Sequence, residues 1–227
     1  MPPAESHFDV LIVGAGLSGI GMAAHLRDRL PGHSYAILER RDRLGGTWDL
    51  FRYPGVRSDS DMHTLGFAFE PWVHEKSITD GPAILDYLDR IVDERGIRRH
   101  IRFGSTVAAA DFDSDAARWC VTLEGGAQLT ANFLYLGSGY YDYDEPFDAE
   151  FAGREDFAGR IVHPQFWPDD LDHAGKRVVV IGSGATAVTI VPAMAETAAK
   201  VTMLQRTPTW MGSRPAKDAV ANWLRKI

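Results

Sequence analysis

Cysteine is nearly missing: Cys120 is the only thiol in 227 residues. A lone cysteine closes no internal disulfide, which excludes a disulfide-stapled scaffold and points to a reducing, cytoplasmic compartment. Within the alternating run Arg118-Trp119-Cys120-Val121-Thr122-Leu123 it reads as a small core residue. Positive charge is also scarce, with 24 Lys and Arg against 31 Asp and Glu and a net charge of -7. That balance argues against a nucleic-acid or anionic-membrane partner. Residues 1–7 lack the basic and apolar regions of a secretory leader. The one uncharged run long enough to imitate a membrane helix, residues 178–195, is interrupted by Gly182-Ser183-Gly184 and Pro192. No transmembrane segment is expected.

What the chain has is a strand–turn–helix–strand pattern, used twice. Phe8-Asp9-Val10-Leu11-Ile12-Val13 reads as a buried parallel strand. Gly14-Ala15-Gly16-Leu17-Ser18-Gly19 follows in the form G-x-G-x-x-G, residues 20–30 read as a helix stopped by Pro31-Gly32, and residues 34–38 form a second strand ending on Glu39. Gly14 permits the turn, Gly16 lets a pyrophosphate approach the backbone, and Gly19 lets the helix pack closely. The helix N-terminus offers free N–H groups to phosphate. Glu39 is placed to accept hydrogen bonds from an adenosine ribose.

The pattern returns at Arg177-Val178-Val179-Val180-Ile181, with Gly182-Ser183-Gly184-Ala185-Thr186-Ala187 as G-x-G-x-x-A. A helix over residues 188–199, bent at Pro192, and a strand over 201–204 complete it. Glu39 follows Gly14 by 25 positions and Arg206 follows Gly182 by 24, so an acid and a base occupy equivalent places. A carboxylate suits a free ribose 2′-OH and repels a 2′-phosphate, which arginine clamps. The first site is therefore expected to take FAD, with NAD as the alternative, and the second NADP(H).

Between the repeats, residues 49–72 read as irregular and residues 81–96 as an amphipathic covering helix. Residues 101–130 read as a small meander and 132–136 as a buried strand closed by Gly137-Ser138-Gly139. The expected fold is α/β, with two Rossmann-like dinucleotide-binding domains, FAD then NADPH, both incomplete at the C-terminus. The expected segments are an FAD domain over 1–145, a linker over 146–176, and an NADPH domain over 177–227 with the start of a helical insertion.

A chain holding both nucleotides passes hydride from nicotinamide to flavin. Disulfide reductases share that plan but need a cysteine pair, which leaves oxygen activation or electron delivery to another carrier. Two further stretches bear on the choice. Residues 157–168 fit F-x-G-x-x-x-H-x-x-x-W-P, and Gly46-Thr47-Trp48 with Tyr53-Pro54-Gly55 and Asp59 fits G-T-W-x-x-x-x-Y-P-G-x-x-x-D. These resemble the fingerprints of the Baeyer–Villiger monooxygenases within the class B flavoprotein monooxygenases. The runs GGTWDLFRYPGVRSDSDMHTLGFAFEPW and VVVIGSGATAVTIVP are most similar to the ethionamide-activating branch.

The resemblance implies an oxidoreductase that uses NADPH, FAD and O₂ and inserts one oxygen, via a peroxyflavin, into a ketone, or oxygenates sulfur or nitrogen centres such as a thioether or thioamide. Carried over, Gly14, Gly16, Ser18, Gly19, Glu39, Thr47, Trp48, Asp49, Leu50, Asp59 and Val107 would contact FAD. Arg57, Ser58, Asp59, Gly182, Ser183, Gly184, Ala185, Thr186, Ala187, Val188, Thr189, Arg206 and Thr207 would contact NADPH. Asp59 would orient a catalytic arginine that these residues do not include. His163 would act as a hinge; it has no metal-ligand neighbours, and no metal site is expected. Family members are roughly twice this long, so the competing expectation is a truncated, non-catalytic dinucleotide-binding fragment. Residues 216–227 are expected to begin an amphipathic helix.

Overall fold

The computed structural model describes residues 6–224; residues 1–7 and 216–227, discussed above, lie partly outside that range. The strands are β1 (His7–Val13), β2 (Tyr35–Leu38), β3 (Ile101–Arg102), β4 (Val107–Asp113), β5 (Arg118–Leu123), β6 (Gln128–Leu136), β7 (Arg177–Ile181) and β8 (Lys200–Leu204). The helices are α1 (Leu17–Arg29), α2 (Thr47–Leu50), α3 (Met62–Leu65), α4 (Gly81–Glu94), α5 (Ala185–Ala195) and α6 (Ala219–Leu224). By its contacts the chain divides into two compact units. One comprises the residues up to Asp49 with Leu85–Tyr141; the other comprises Leu50–Ile84 with the residues from Asp142 onward.

The first unit holds a six-stranded sheet in the order β3-β2-β1-β6-β5-β4. β1 runs parallel to β2 and β6, and β5 runs antiparallel to β6 and β4. The last residues of the meander and the strand after it are thus one strand, β6. β6 gives Thr130 and Ala131 to both neighbours at once, antiparallel to β5 and parallel to β1. Phe8, Leu11, Ala36, Leu38, Val121, Leu129 and Ala131 form a core on this sheet. Burying side chains of the size of Leu11 or Leu38 contributes about 2 kcal/mol each before entropy is counted.

Helix α1 buries Gly19, Ile20, Ala23, Ala24 and Leu26. It starts at Leu17, three residues ahead of the expected start, because the Gly16 carbonyl already accepts from the Ile20 N–H at 3.0 Å.

The second unit holds the parallel pair β7-β8 in register Arg177↔Lys200 through Ile181↔Leu204. Helix α5 runs through Pro192 as one element. Its Ile190 and Met194 form a core with Phe51 and Tyr53, against which Val178, Val180, Val201 and Trp167 pack. The compact units do not coincide with the expected segments 1–145, 146–176 and 177–227: residues 50–84 group with the second glycine turn. The reason is physical. Tyr53 and Phe51 fill the apolar side of α5, which a lone two-stranded sheet leaves underpacked.

Candidate functional site: two glycine turns

In the first unit the turn after β1 is built by close backbone contact. Gly14 adopts φ +97°, its N–H donates to the Leu38 carbonyl at 2.8 Å, and a Cβ there would lie 2.6 Å from the Gly137 carbonyl oxygen. A Cβ on Gly19 would lie 1.9 Å from the Gly14 carbonyl oxygen, so only glycine fits. Gly16 is different. Its φ is -82°, and an added Cβ would meet only Gly46, at an ordinary 3.6 Å. The chain's own packing does not require glycine there, which fits a role in admitting a ligand to the backbone.

Glu39 ends β2 and is buried. One carboxylate oxygen accepts from the Ala15 N–H at 2.7 Å and the other from the Arg41 N–H at 2.9 Å. A carboxylate has about four acceptor sites, so these bonds fix it beside the glycine turn and leave capacity for hydroxyl donors. The Gly45 N–H donates to the Ala15 carbonyl at 3.0 Å, which brings the turn carrying Thr47 and Trp48 to the same place. Ser18 shares a 2.9 Å hydrogen bond with the Tyr135 hydroxyl of β6.

Four other residues of the expected FAD set lie in different surroundings. Asp49 is fully buried and paired with Arg41 at 2.8 Å and Arg43 at 3.2 Å. Leu50 packs on the core of the second unit, and Val107 packs on the core of the first. Asp59 belongs to the second unit. The Gly137 contact escaped sequence reasoning, although the Gly137-Ser138-Gly139 cluster after a buried strand was its signal.

In the second unit a cavity of about 380 Å³ is lined by Arg57, Asp59, Ser183, Gly184, Ala185 and Val188, with residues 209–216 along one side. Gly182 (φ +126°) and Gly184 have no atom within 4 Å of an added Cβ, so this turn is open. Ser183 Oγ is held 2.8 Å from Thr209 Oγ1. Ala187 and Thr189 are buried instead, facing the core, and the Ser58 hydroxyl is spent on the Ser60 carbonyl at 2.7 Å. Thr186 is half-buried near Tyr53. Arg206 and Thr207 are exposed beyond β8 and do not line the cavity.

The Tyr53-Pro54-Gly55 motif has a structural cause. Gly55, at φ +77°, lies so close to α5 that a Cβ would come 3.1 Å from the Thr189 carbonyl oxygen. Burial pushes the Tyr53 hydroxyl up, Thr186 opposing by hydrogen bonding and Asp59 adding to it. In the other fingerprint, half-buried His163 caps a short 3₁₀ turn, its Nδ1 accepting from the Gln165 N–H at 3.2 Å. Buried Gln165 donates to the Asp142 carbonyl at 2.6 Å, and Trp167 packs on the α5 core. Among the described residues no group of three or more side chains has the arrangement of a metal site, and no helix is long and apolar enough to cross a membrane.

Comparison with known proteins identifies the chain's relatives. The profile of the pyridine nucleotide-disulphide oxidoreductase family matches residues 11–226. The FAD-containing monooxygenase EthA of Mycolicibacterium smegmatis is 57% identical over 97% of this chain and 46% of its own length. A probable FAD-binding monooxygenase, AlmA of Acinetobacter baylyi, is 50% identical over 98% of this chain and 46% of its own. Among solved structures, an oxidized steroid monooxygenase bound to NADP superposes with TM-score 0.81 at 32% identity, covering 97% of this chain and 42% of that one. An open cyclohexanone monooxygenase gives 0.81 at 29% identity, covering 96% and 45%. The chain spans about half the length of the curated relatives it matches. Within these 227 residues one cysteine supplies no dithiol, so the likeness lies in nucleotide binding. The chain belongs to the pyridine nucleotide-disulphide oxidoreductase family, and its relatives within that family are the FAD-containing, Baeyer–Villiger type monooxygenases.

Proposed function

We propose that the chain is the two-nucleotide portion of an NADPH- and FAD-dependent monooxygenase that places one oxygen atom of O₂ on a ketone, thioether or thioamide. The observation that carries this reading is the contrast between the two strand ends. Buried Glu39 is anchored to the first glycine turn, and exposed Arg206 follows the strand of the second. Gly14, Gly16, Gly19 and Glu39 would hold the FAD pyrophosphate and ribose, with Ser18, Thr47 and Trp48 beside them. Ser183, Gly184, Ala185 and Val188 would hold the NADPH pyrophosphate, and Arg57 or Arg206 its 2′-phosphate. Bound FAD supplies the hydride acceptor and the centre that reacts with O₂.

The chain's own residues bind and orient. Glu39 favours a free 2′-OH over a 2′-phosphate at the first site, whereas arginine donors favour the phosphate at the second. Asp59 would orient a cationic group near the flavin, and His163 would couple its linker to cofactor position. We assign the FAD role to residues 1–145, the linker role to 146–176 and the NADPH role to 177–227, working in a reducing, cytoplasmic setting.

The test is the visible spectrum of the purified chain after mixing with FAD and desalting. A retained, structured flavin band that NADPH bleaches without air supports both assignments. Absence of retained flavin overturns nucleotide binding by this chain alone. Oxygenated product from a ketone or sulfide in air would show that these 227 residues suffice for turnover, and flavin reduction without product would favour a non-catalytic binding fragment.

A further inference from the structure

At the opposite end of α1 from the glycine turn, the first unit contains a second cavity of about 190 Å³, lined by Arg27, Leu30, Pro31, His33, Tyr35, Arg99 and His100. No acidic residue lines it, in a chain whose net charge is -7. Other arginines of the chain pair with carboxylates: Arg95 with Asp28 at 2.9 Å, Arg160 with Asp170 at 3.0 Å and Arg214 with Asp61 at 2.9 Å. The two arginines of the cavity do not. Arg27 donates to the Gly96 carbonyl at a long 3.4 Å and lies beside the Tyr35 hydroxyl, and Arg99 bonds His100 Nε2 at 3.2 Å.

The second observation is Tyr35. It is 94% buried, its ring stacks on His100 at 4.3 Å between centroids, and its hydroxyl makes no hydrogen bond of normal geometry among the described residues. Burial raises its pKa, with Arg27 and Arg99 near enough to oppose that rise. A buried hydroxyl without a partner is costly, so its position beside two uncompensated guanidinium groups needs a reason. The C-terminal end of α1 attracts cations, which accounts for one arginine but not for the hydroxyl or for Arg99.

We propose that this cavity binds a small anion bearing a phosphate group, with Arg27, Arg99 and the Tyr35 hydroxyl donating to its oxygens and Leu30 and Pro31 flanking any organic part. Guanidinium forks suit tetrahedral oxyanions bidentately. Free inorganic phosphate and a phosphomonoester share this chemistry.

The experiment is calorimetric titration of the full chain with inorganic phosphate and, separately, with phenyl phosphate, at fixed ionic strength. Saturable binding of either is expected, weakened tenfold or more in R27Q and in R99Q. Tighter phenyl phosphate would assign the natural ligand to the esters, and equal or weaker binding would assign it to free phosphate. Y35F, which removes one donor and keeps the ring stack, should weaken binding severalfold, so the proposal stays testable if an arginine variant fails to fold. R118Q, at the start of β5 and outside the cavity lining, should leave the affinity unchanged. No saturable binding, or an affinity that R118Q lowers as much as R27Q, R99Q and Y35F do, overturns the proposal.

Discussion

At the scale of single residues, two glycines of one motif do different work, and substitution separates them. G19A drives a methyl group to within 1.9 Å of the Gly14 carbonyl oxygen. It should destabilise the first unit by about 3 kcal/mol or more, read as a fall in the urea midpoint. G16A meets nothing closer than 3.6 Å and should leave that midpoint unchanged while lowering flavin retention at least tenfold after desalting. Loss of stability in both, or retention in both, would remove Gly16 from the cofactor role. Asp49 shows what the sequence concealed. The run Arg40-Arg41-Asp42-Arg43 reads as solvated charge, because nothing in its spacing shows that Arg41 and Arg43 turn back to a carboxylate buried six to eight positions on. D49A removes the buried carboxylate that Arg41 and Arg43 share and should cost about 3 kcal/mol in the same assay.

At the scale of elements, the segment 209–218 bounds the cavity of the second unit and is tied to the loop before α4. The Ser77 and Ile78 N–H groups donate to the Ala216 carbonyl at 2.8 and 3.2 Å. Arg214 pairs with Asp61 at 2.9 Å and Lys217 with Glu75 at 2.7 Å. R214Q removes one tie and should lower hydrogen-exchange protection of the Ser77 and Ile78 amides severalfold, with β1 amides unaffected. The pH dependence has a definite sign. Slight burial pushes Asp61 up, but its bonds to Arg214 and Thr64 outweigh that and hold it below the usual carboxylate range. Its contribution is therefore complete above the unfolded value of about 4 and is lost as pH falls through the lower folded value. Protection at Ser77 should be constant from about pH 7 to 5 and decline only below about 4, and D61N should abolish that decline. The sequence made both glycine turns legible because each is punctuated by φ-demanding glycines between apolar runs. It did not show that β6 runs unbroken through Thr130 and Ala131, since a strand antiparallel on one edge and parallel on the other carries no distinctive periodicity. Nor did it place residues 50–84 with α5, a packing decided by Tyr53 and Gly55 at a distance of more than 130 positions.

At the scale of the whole molecule, the two sheets are unequally covered. In the β7-β8 pair, alternation sends Val178, Val180 and Val201 onto the α5 core and leaves Val179, Ile181 and Leu204 more than half exposed. On β6 of the other unit Phe133 and Leu136 are 68% and 69% exposed. A parallel sheet in an α/β fold is ordinarily covered on both faces, and contiguous apolar patches on a soluble surface mark contact sites or association liabilities. The relatives are about twice as long as this chain, so they have polypeptide available to lie on such faces. The isolated 227-residue chain should accordingly enhance 1-anilinonaphthalene-8-sulfonate fluorescence strongly at neutral pH while retaining a cooperative urea transition. The triple variant V179T/I181T/L204T should lose a large part of that enhancement without losing the transition, because its substitutions point away from the α5 core. Dye binding that accompanies a non-cooperative transition would instead identify a loosely packed state. Dye binding that the triple variant leaves intact would move the patch from the second sheet to Phe133 and Leu136 of the first.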